Sequence, residues 1–173
     1  NHGGVTVVPA LLALSQALAE ESRESGRDLI AALAVGLDIS NRLGMAFIPY
    51  LHVGWLPTTL WGPFATAAAC GRLLRLDEQR MAHAFGFAYA QAHGNRQALV
   101  DGALAKRIQP GFSASAGLRA ALYASRGLTA AEHIVDGEFG IPALYTRGRV
   151  DRGYLTDGIG SSYQTSQISI KPY

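Results

Sequence analysis

The sequence predicts a mainly helical fold that ends in a short strand-containing part. Apolar side chains recur at intervals of three and four residues through successive stretches, which is the period of an amphipathic helix. Residues 57–74 are apolar nearly all round, as expected for a helix buried at the centre of a domain. Residues 167–170 instead alternate between polar and apolar side chains, which is typical of a strand with one buried face.

The first two helices are predicted by leucine stripes on either side of a polar turn. The first stripe, within residues 5–22, consists of Leu11, Leu14 and Leu18. Ser25 followed by Asp28 predicts a capping box, in which each side chain bonds the backbone of the other residue. The second stripe consists of Leu29, Leu33, Leu37 and Leu43. Residues 45–56 contain proline, glycine and several aromatics and are therefore predicted to form a loop.

Three helix starts are predicted in the middle of the chain. Pro57 suits the first position of the third helix, and Asp77 is a cap for the fourth. Residues 95–110 are predicted to form a polar loop. A fifth helix then starts at Pro110, which places Lys106 on a turn held against that helix.

The pattern changes after the fifth helix. Thr129 and Glu132 stand at capping-box spacing and predict a short sixth helix that ends near residues 136–137. Residues 145–157 are rich in turn-forming side chains. Six helices and a small strand-containing tail are therefore expected.

Composition limits the classes of partner. A chain of 173 residues is long enough for one domain with a sizeable core. Its residues are 49% hydrophobic and only 16% charged, which indicates that another subunit or further chain covers much of the exterior. The net charge of +2 comes from scattered basic residues, so a nucleic-acid partner is not expected.

Cysteine content and hydropathy predict the compartment. Cys70 is the single cysteine, so an internal disulfide is excluded and a cytoplasmic location is expected. No uninterrupted apolar run reaches the length of a membrane span, about 18 residues, and none is expected to enter a membrane. The chain begins at Asn1 and ends within the predicted strand, and we expect it to be a piece of a longer polypeptide.

Four polar residues are candidates for binding or catalysis. His2 precedes a helix start, where backbone N–H groups favour an anion and an imidazole can move protons. Arg96 and Gln97 can clamp a carboxylate or simply solvate their loop. Lys106 offers a compact cation to an acidic ligand, although a solvated surface lysine is the plainer interpretation. The five histidines form no metal-ligand pair, and motifs for nucleotide binding, zinc proteolysis and serine hydrolysis are absent.

Several separated stretches together resemble one family. They are His2-Gly3-Gly4, Gly54-Trp55-Leu56-Pro57-Thr58-Thr59, Lys106-Arg107-Ile108-Gln109-Pro110-Gly111, Phe139-Gly140 and Lys171-Pro172-Tyr173. Their order resembles the MmgE/PrpD family, whose members have an all-helical domain and a smaller α+β lid domain. The resemblance implies that residues 1–137 are a helical domain without its N-terminal part. Residues 138–173 are then the connection and the truncated start of the lid.

The resemblance assigns roles to individual residues. His2 matches a histidine beside the pocket, Lys106 a lysine that meets a substrate carboxylate, and Lys171 a lysine of the Lys-Pro-Tyr-Pro segment. Two positions depart from the family pattern. Leu56 stands where cis-aconitate decarboxylase has a catalytic histidine, and Gln109 stands where some relatives have histidine.

The resemblance also implies the type of reaction. The expected function is a lyase like 2-methylcitrate dehydratase, acting on a small di- or tricarboxylate by proton transfer next to a carboxylate. An epimerase or isomerase like iminodisuccinate epimerase is the second interpretation, and a non-catalytic helical dimerisation or interaction member is the third. Decarboxylation of cis-aconitate is least expected because Leu56 cannot move a proton. A homodimer is implied, and no metal or organic cofactor.

Overall fold

The computed structural model describes residues 2–19 and 24–167. Within them the chain forms eight α-helices: α1 (Gly4–Leu18), α2 (Gly26–Phe47), α3 (Pro57–Leu73), α4 (Glu78–Ala90), α5 (Gln97–Val100), α6 (Ala105–Ser125), α7 (Ile141–Tyr145) and α8 (Arg152–Thr156). Two short 3-10 helices, Ile48–Tyr50 and Gln164–Gln167, accompany them. The predicted mainly helical fold is confirmed.

Helix α3 lies at the centre and packs against α1, α2, α4 and α6. All its residues except Pro57 and Arg72 are buried, as its apolar sequence predicts. Glycines on the neighbouring helices allow the close approach. A Cβ atom on Gly36 of α2 would lie 2.8 Å from the Ala65 carbonyl oxygen, and one on Gly117 of α6 would collide with the Pro63 carbonyl oxygen. The helices therefore touch backbone to backbone at these points.

Two apolar clusters lie on different sides of α3. An aliphatic cluster joins α1 and α2 to α3 and α6 through Leu11, Leu14, Ala32, Ala65 and Leu73, among others. An aromatic cluster contains Phe47, Trp61 and Phe64, with the Phe47 and Trp61 rings stacked 5.3 Å apart. Because Phe47 is fully buried there, α2 continues past residue 45, where the sequence predicted a loop.

Both predicted caps of the early helices are confirmed. Ser25 and Asp28 form the complete capping box of α2, with the Ser25 N–H donating to Asp28 Oδ2 at 3.0 Å. The Asp77 carboxylate accepts the Arg80 N–H at 2.8 Å at the start of α4. Local hydrogen bonding thus sets these helix starts in the way that their sequences indicate.

A buried ion pair attaches the segment after α6 to α2. Arg42 Nε donates to Asp38 Oδ2 at 2.6 Å, and the Arg42 side chain is only 2% exposed. The other guanidinium N–H groups donate to the backbone carbonyls of Tyr154, Asp157 and Ser162 at 2.7–3.2 Å. Every charge and most donors of the pair are therefore satisfied.

Two helix predictions are wrong. Helix α6 starts at Ala105 rather than Pro110, because the Lys106 and Arg107 N–H groups bond to carbonyls three residues earlier and add a turn. The loop predicted before it also contains α5. Residues 129–137 form irregular backbone and turns instead of a helix, and the backbone there bonds another helix, with the Ala130 N–H donating to His83 Nδ1 at 3.4 Å.

Only the first residue of the predicted strand lies in the part of the chain that the structure describes. Gln167, its first residue, ends a 3-10 helix, whereas residues 168–170 lie outside the described part of the chain. Residues 2–19 and 24–167 contain no strand, and one isolated antiparallel bridge pairs Trp55 with Asn95.

Gly26–Tyr50 is long and apolar enough to cross a membrane, but a core helix passes the same test, and 44% of its apolar window is buried.

Candidate active site

The candidate site is built around the start of α3. Leu56 precedes the helix without a side-chain cap, and Pro57 occupies its first turn. The first N–H groups of a helix have no intrahelical partner and carry a partial positive charge. Thr58 and Thr59, which follow, are buried and bring two hydroxyl groups to this end. Pro57 has no N–H and the Thr59 N–H donates to the Leu56 carbonyl at 3.0 Å, so the Thr58 N–H is the donor that this helix start leaves, with the helix dipole, to favour an anion.

His2 is placed beside this helix start. Its backbone N–H donates to Thr58 Oγ1 at 3.2 Å, across 56 positions of sequence. Gly3 follows in close contact with α2, since a Cβ atom there would lie 2.8 Å from Ser40 Oγ. The predicted position of His2 before a helix is thus correct, and the histidine also lies at the start of a second helix, α3.

Two paired turns form another wall of the site. The Leu56 N–H donates to the Gly94 carbonyl at 3.2 Å, and the Arg96 N–H donates to the Gly54 carbonyl at 3.0 Å. Gly94 has a φ of +116°, and a Cβ atom on it would collide with Thr59 Oγ1. Only glycine meets both requirements, so the turn is fixed against α3.

One face of α6 points to the same end of α3. Lys106, Gln109 and Ser113 share that face at helical spacing. Ser113 Oγ donates to the Thr59 carbonyl at 2.8 Å, and Gln109 Nε2 donates to the Asn95 carbonyl at 3.3 Å. Lys106 is exposed and forms no side-chain hydrogen bond or ion pair with any residue that the structure describes. Its ammonium is available to a ligand.

The remaining predicted site residues differ in how many of their hydrogen-bond donors are free to bind a ligand. Arg96 is exposed, and its Nη1 donates to the Val53 carbonyl over a long 3.5 Å, which leaves most donors open. Gln97 Nε2 donates to Asp101 Oδ1 at 2.6 Å, so that amide nitrogen is engaged. Lys171 lies outside the described residues.

An aromatic group supports the paired turns from behind. The Trp55 ring meets Tyr145 edge-on at 5.0 Å, and the Tyr145 hydroxyl donates to the Ala92 carbonyl at 3.4 Å. Burial raises the pKa of Tyr145, and the neighbouring Tyr89 raises it further. Tyr145 therefore stays a neutral donor at physiological pH and holds the turn in place.

Sequence reasoning missed part of the site. The Ser113 hydroxyl joins α6 to the Thr59 carbonyl of α3, while Thr58 Oγ1 accepts the His2 N–H and Thr59 Oγ1 donates to the Leu56 carbonyl. Two threonines directly after a helix-starting proline were the available signal. Gln109 Oε1 is buried and has no hydrogen-bond partner among the described residues. An unsatisfied acceptor at this point is consistent with a donor supplied by a ligand.

The structure as a whole defines a helical domain whose polar groups gather at one end of its central helix. Residues 1–152 match the MmgE/PrpD N-terminal domain, and the chain belongs to the MmgE/PrpD family.

Curated relatives show the same relationship. The chain is 34% identical to a cis-aconitate decarboxylase of Aspergillus terreus over 181 residues, which cover 99% of this chain and 37% of that protein. It is 31% identical to the cis-aconitate decarboxylase-like protein oryM of Aspergillus oryzae, covering 98% and 37%. Identity to human cis-aconitate decarboxylase is 29%, covering 84% and 30%. The chain thus spans about 37% of the length of the first of these relatives.

Proposed function

We propose that this chain is part of a lyase that acts on a small polycarboxylate. The observation that carries the proposal is the position of Lys106, which pairs with no described residue and shares a face of α6 with Ser113, whose hydroxyl bonds the Thr59 carbonyl near the start of α3. The names of the relatives, cis-aconitate decarboxylases, support the same substrate class. A cytoplasmic location is part of the proposal.

Each group has a separate role in the proposed reaction. Lys106 binds one substrate carboxylate, and the uncapped start of α3 favours the negative charge that develops as a proton leaves carbon. His2 removes that proton from the carbon next to the carboxylate. Arg96 binds a second carboxylate from the paired turns.

We place dehydration ahead of decarboxylation. In dehydration the C–H electron pair forms a double bond, and hydroxide leaves with a proton as water. Leu56 carries no proton and stands where the family resemblance places the decarboxylase histidine. The names of the relatives favour decarboxylation as the second candidate, in which the C–CO₂ bond breaks and the carbon is protonated.

The test is turnover and proton exchange by the purified full-length protein that contains this chain. 2-Methylcitrate, cis-aconitate and succinate-type acids are incubated with it in D₂O and followed by NMR. We expect loss of water from the hydroxy acid, and at least a tenfold fall in turnover and in acid affinity for Lys106→Ala. Arg107→Ala, at the adjacent exposed position, is the matched control and should retain both.

The other outcomes discriminate between the alternatives. Release of CO₂ from cis-aconitate identifies a decarboxylase. Deuterium incorporation without net loss of substrate identifies an epimerase or isomerase. Absence of exchange together with unchanged acid binding in Lys106→Ala contradicts the enzyme proposal and favours a non-catalytic member of the family.

A further inference from the structure

A cavity lies where α6 meets the end of α4, away from the candidate active site. It has a volume of about 290 Å³, and its wall consists of Gln91, His93, Phe112, Ser115, Ala116 and Arg119. We call it the α4–α6 cavity. Its volume is at the lower end of the range for small-molecule pockets, roughly 300–1,000 Å³. Arg119 follows Lys106 on the same helix by more than three turns, or about 20 Å along the axis, so the cavity is a separate site.

The wall of the α4–α6 cavity holds the Arg119 guanidinium in one orientation. The guanidinium donates to Ser115 Oγ at 2.7 Å and to Gln91 Oε1 at 3.0 Å. Gln91 is fixed in turn, because its Nε2 donates to the Phe87 carbonyl at 3.0 Å. A guanidinium has five N–H donors, so further donors are left for a ligand. Because the Arg119 side chain is already ordered, a ligand that binds it pays little additional conformational entropy.

The charge of Arg119 is not compensated within the described part of the chain. Both of its acceptors are neutral, and no carboxylate of residues 2–19 and 24–167 pairs with it. The Ser115 hydroxyl proton and the His93 ring nitrogens also have no hydrogen-bond partner among these residues. No acidic side chain is among the residues that line the cavity. The wall therefore presents a permanent positive charge and free hydrogen-bond donors, which together favour an anion.

Two aromatic rings form the apolar part of the same wall. The Phe112 ring is 56% exposed, and the His93 ring lies beside it with the centroids 6.5 Å apart and the planes at 66°. Ala116 adds a methyl group to this side of the cavity. A flat ring that enters the cavity can pack against these two rings in an offset or edge-to-face arrangement.

We propose that the α4–α6 cavity binds a small aromatic monocarboxylate. Its carboxylate accepts the free N–H groups of Arg119 and the Ser115 hydroxyl, and its ring packs against Phe112 and His93. One negative charge matches the single permanent cation of the wall, whereas a phosphate monoester carries about −1.5 to −2 at pH 7 and would need a second cation. Arg119 repels a protonated amine. This inference is independent of the proposed reaction.

The first experiment measures binding of benzoate to the full-length protein that contains this chain, by isothermal titration calorimetry. We expect saturable binding of one benzoate per chain. Acetate lacks the ring and benzyl alcohol lacks the charge, so each should bind about tenfold more weakly or worse. Absence of saturable benzoate binding overturns the proposal. Benzyl alcohol binding as tightly as benzoate, or phenyl phosphate binding more tightly, overturns the assignment of a monocarboxylate.

Substitutions test where the benzoate is held. Arg119→Gln keeps a polar side chain but removes the charge, and it should weaken benzoate binding about tenfold or more. Phe112→Ala should weaken it about fivefold through the loss of ring contact. Arg126→Gln is the matched control, because Arg126 is an exposed arginine directly after α6 with no ion pair to a described residue, and it should bind benzoate normally.

Lys106→Ala separates the α4–α6 cavity from the candidate active site and should leave benzoate binding unchanged. Circular dichroism confirms that each variant is folded. Benzoate binding that is unaffected by Arg119→Gln, or that is lost in Lys106→Ala, would show that the acid is held elsewhere and would overturn the proposal.

Discussion

The helical bundle of α1–α4 and α6 and the segment of residues 127–167 are held together by different forces. In the bundle, small side chains such as Gly36, Ala65 and Gly117 let whole helices pack backbone to backbone. The segment contains only short helices, and bundle side chains hold its backbone through hydrogen bonds, above all from Arg42. Apolar packing in the bundle is distributed over whole helices, whereas the segment is attached by a few apolar side chains, chiefly Ile134 and Ile141, together with the hydrogen bonds to its backbone.

The largest effect is expected from removing the main polar attachment of the segment. Arg42→Met leaves the Asp38 carboxylate buried without its partner and frees three backbone carbonyls. We expect a loss of about 3–5 kcal/mol in the free energy of unfolding, measured by urea denaturation. Arg27→Met, at an exposed position of the same helix, should change it by less than about 0.5 kcal/mol. A small loss for Arg42→Met would contradict this difference between the two regions.

The second prediction compares two glycines of α6. Gly117→Ala places a methyl group against the backbone of α3, 2.9 Å from the Ala67 nitrogen, and should cost about 1–3 kcal/mol. Gly111→Ala meets nothing within 4 Å and should raise the free energy of unfolding of the monomer by about 0.5–1 kcal/mol. Thermal or urea unfolding measures both. Equal changes in the free energy of unfolding for Gly117→Ala and Gly111→Ala would mean that the side of α6 facing α3 is not packed more closely than its exposed side.

The third prediction concerns pH and the bundle core. Burial raises the pKa of the Cys70 thiol from 9.0 to about 12. A raised pKa favours the protonated folded form, so this stabilisation is complete below pH 9 and is lost as the pH rises towards 12. Between pH 8 and 10 the free energy of unfolding should fall about 1.4 kcal/mol more than in Cys70→Ala. Identical pH profiles for the two proteins would show that the thiol titrates normally.

The smallest effect is expected from one hydrogen bond to the segment. The Tyr89 hydroxyl donates to the Phe139 carbonyl at 2.5 Å, so Tyr89→Phe should cost about 1 kcal/mol. Tyr123→Phe is the control, because the Tyr123 ring packs edge-on against Phe87 while its hydroxyl has no hydrogen bond to a described residue. Limited proteolysis of residues 127–167 should increase only for Tyr89→Phe.

The contrast between the bundle and the segment of residues 127–167 also explains which features the sequence could predict. Capping chemistry and apolar periodicity are local, so the starts of α2, α3 and α4 were predicted within one or two residues. The attachment of residues 127–167 was not predicted, because it depends on contacts such as Arg42 with Ser162, more than one hundred positions apart. The i, i+4 spacing of Asp38 and Arg42 permits an ion pair on one helix face, but spacing alone does not reveal that the pair is buried.

The candidate site follows the same rule. His2 was placed correctly before a helix because the glycines and apolar stripe after it are local signals. The contact of His2 with Thr58 and of Gln109 with Asn95 joins distant parts of the chain. The family resemblance indicated that Lys106 binds a substrate carboxylate, and the structure adds the face of α6 on which Lys106 lies.

The burial of α3 also determines how the molecule exchanges hydrogen with solvent. Its amide groups are hydrogen-bonded inside the helix and surrounded by four other helices, so they can meet water only when the whole bundle opens. The first turn of α6, by contrast, is exposed, and Pro110 in the second turn offers no amide to the Lys106 carbonyl. The slowest-exchanging part of the chain therefore lies next to one of its fastest, and the candidate site combines a fixed side with a side that can adjust within the native state.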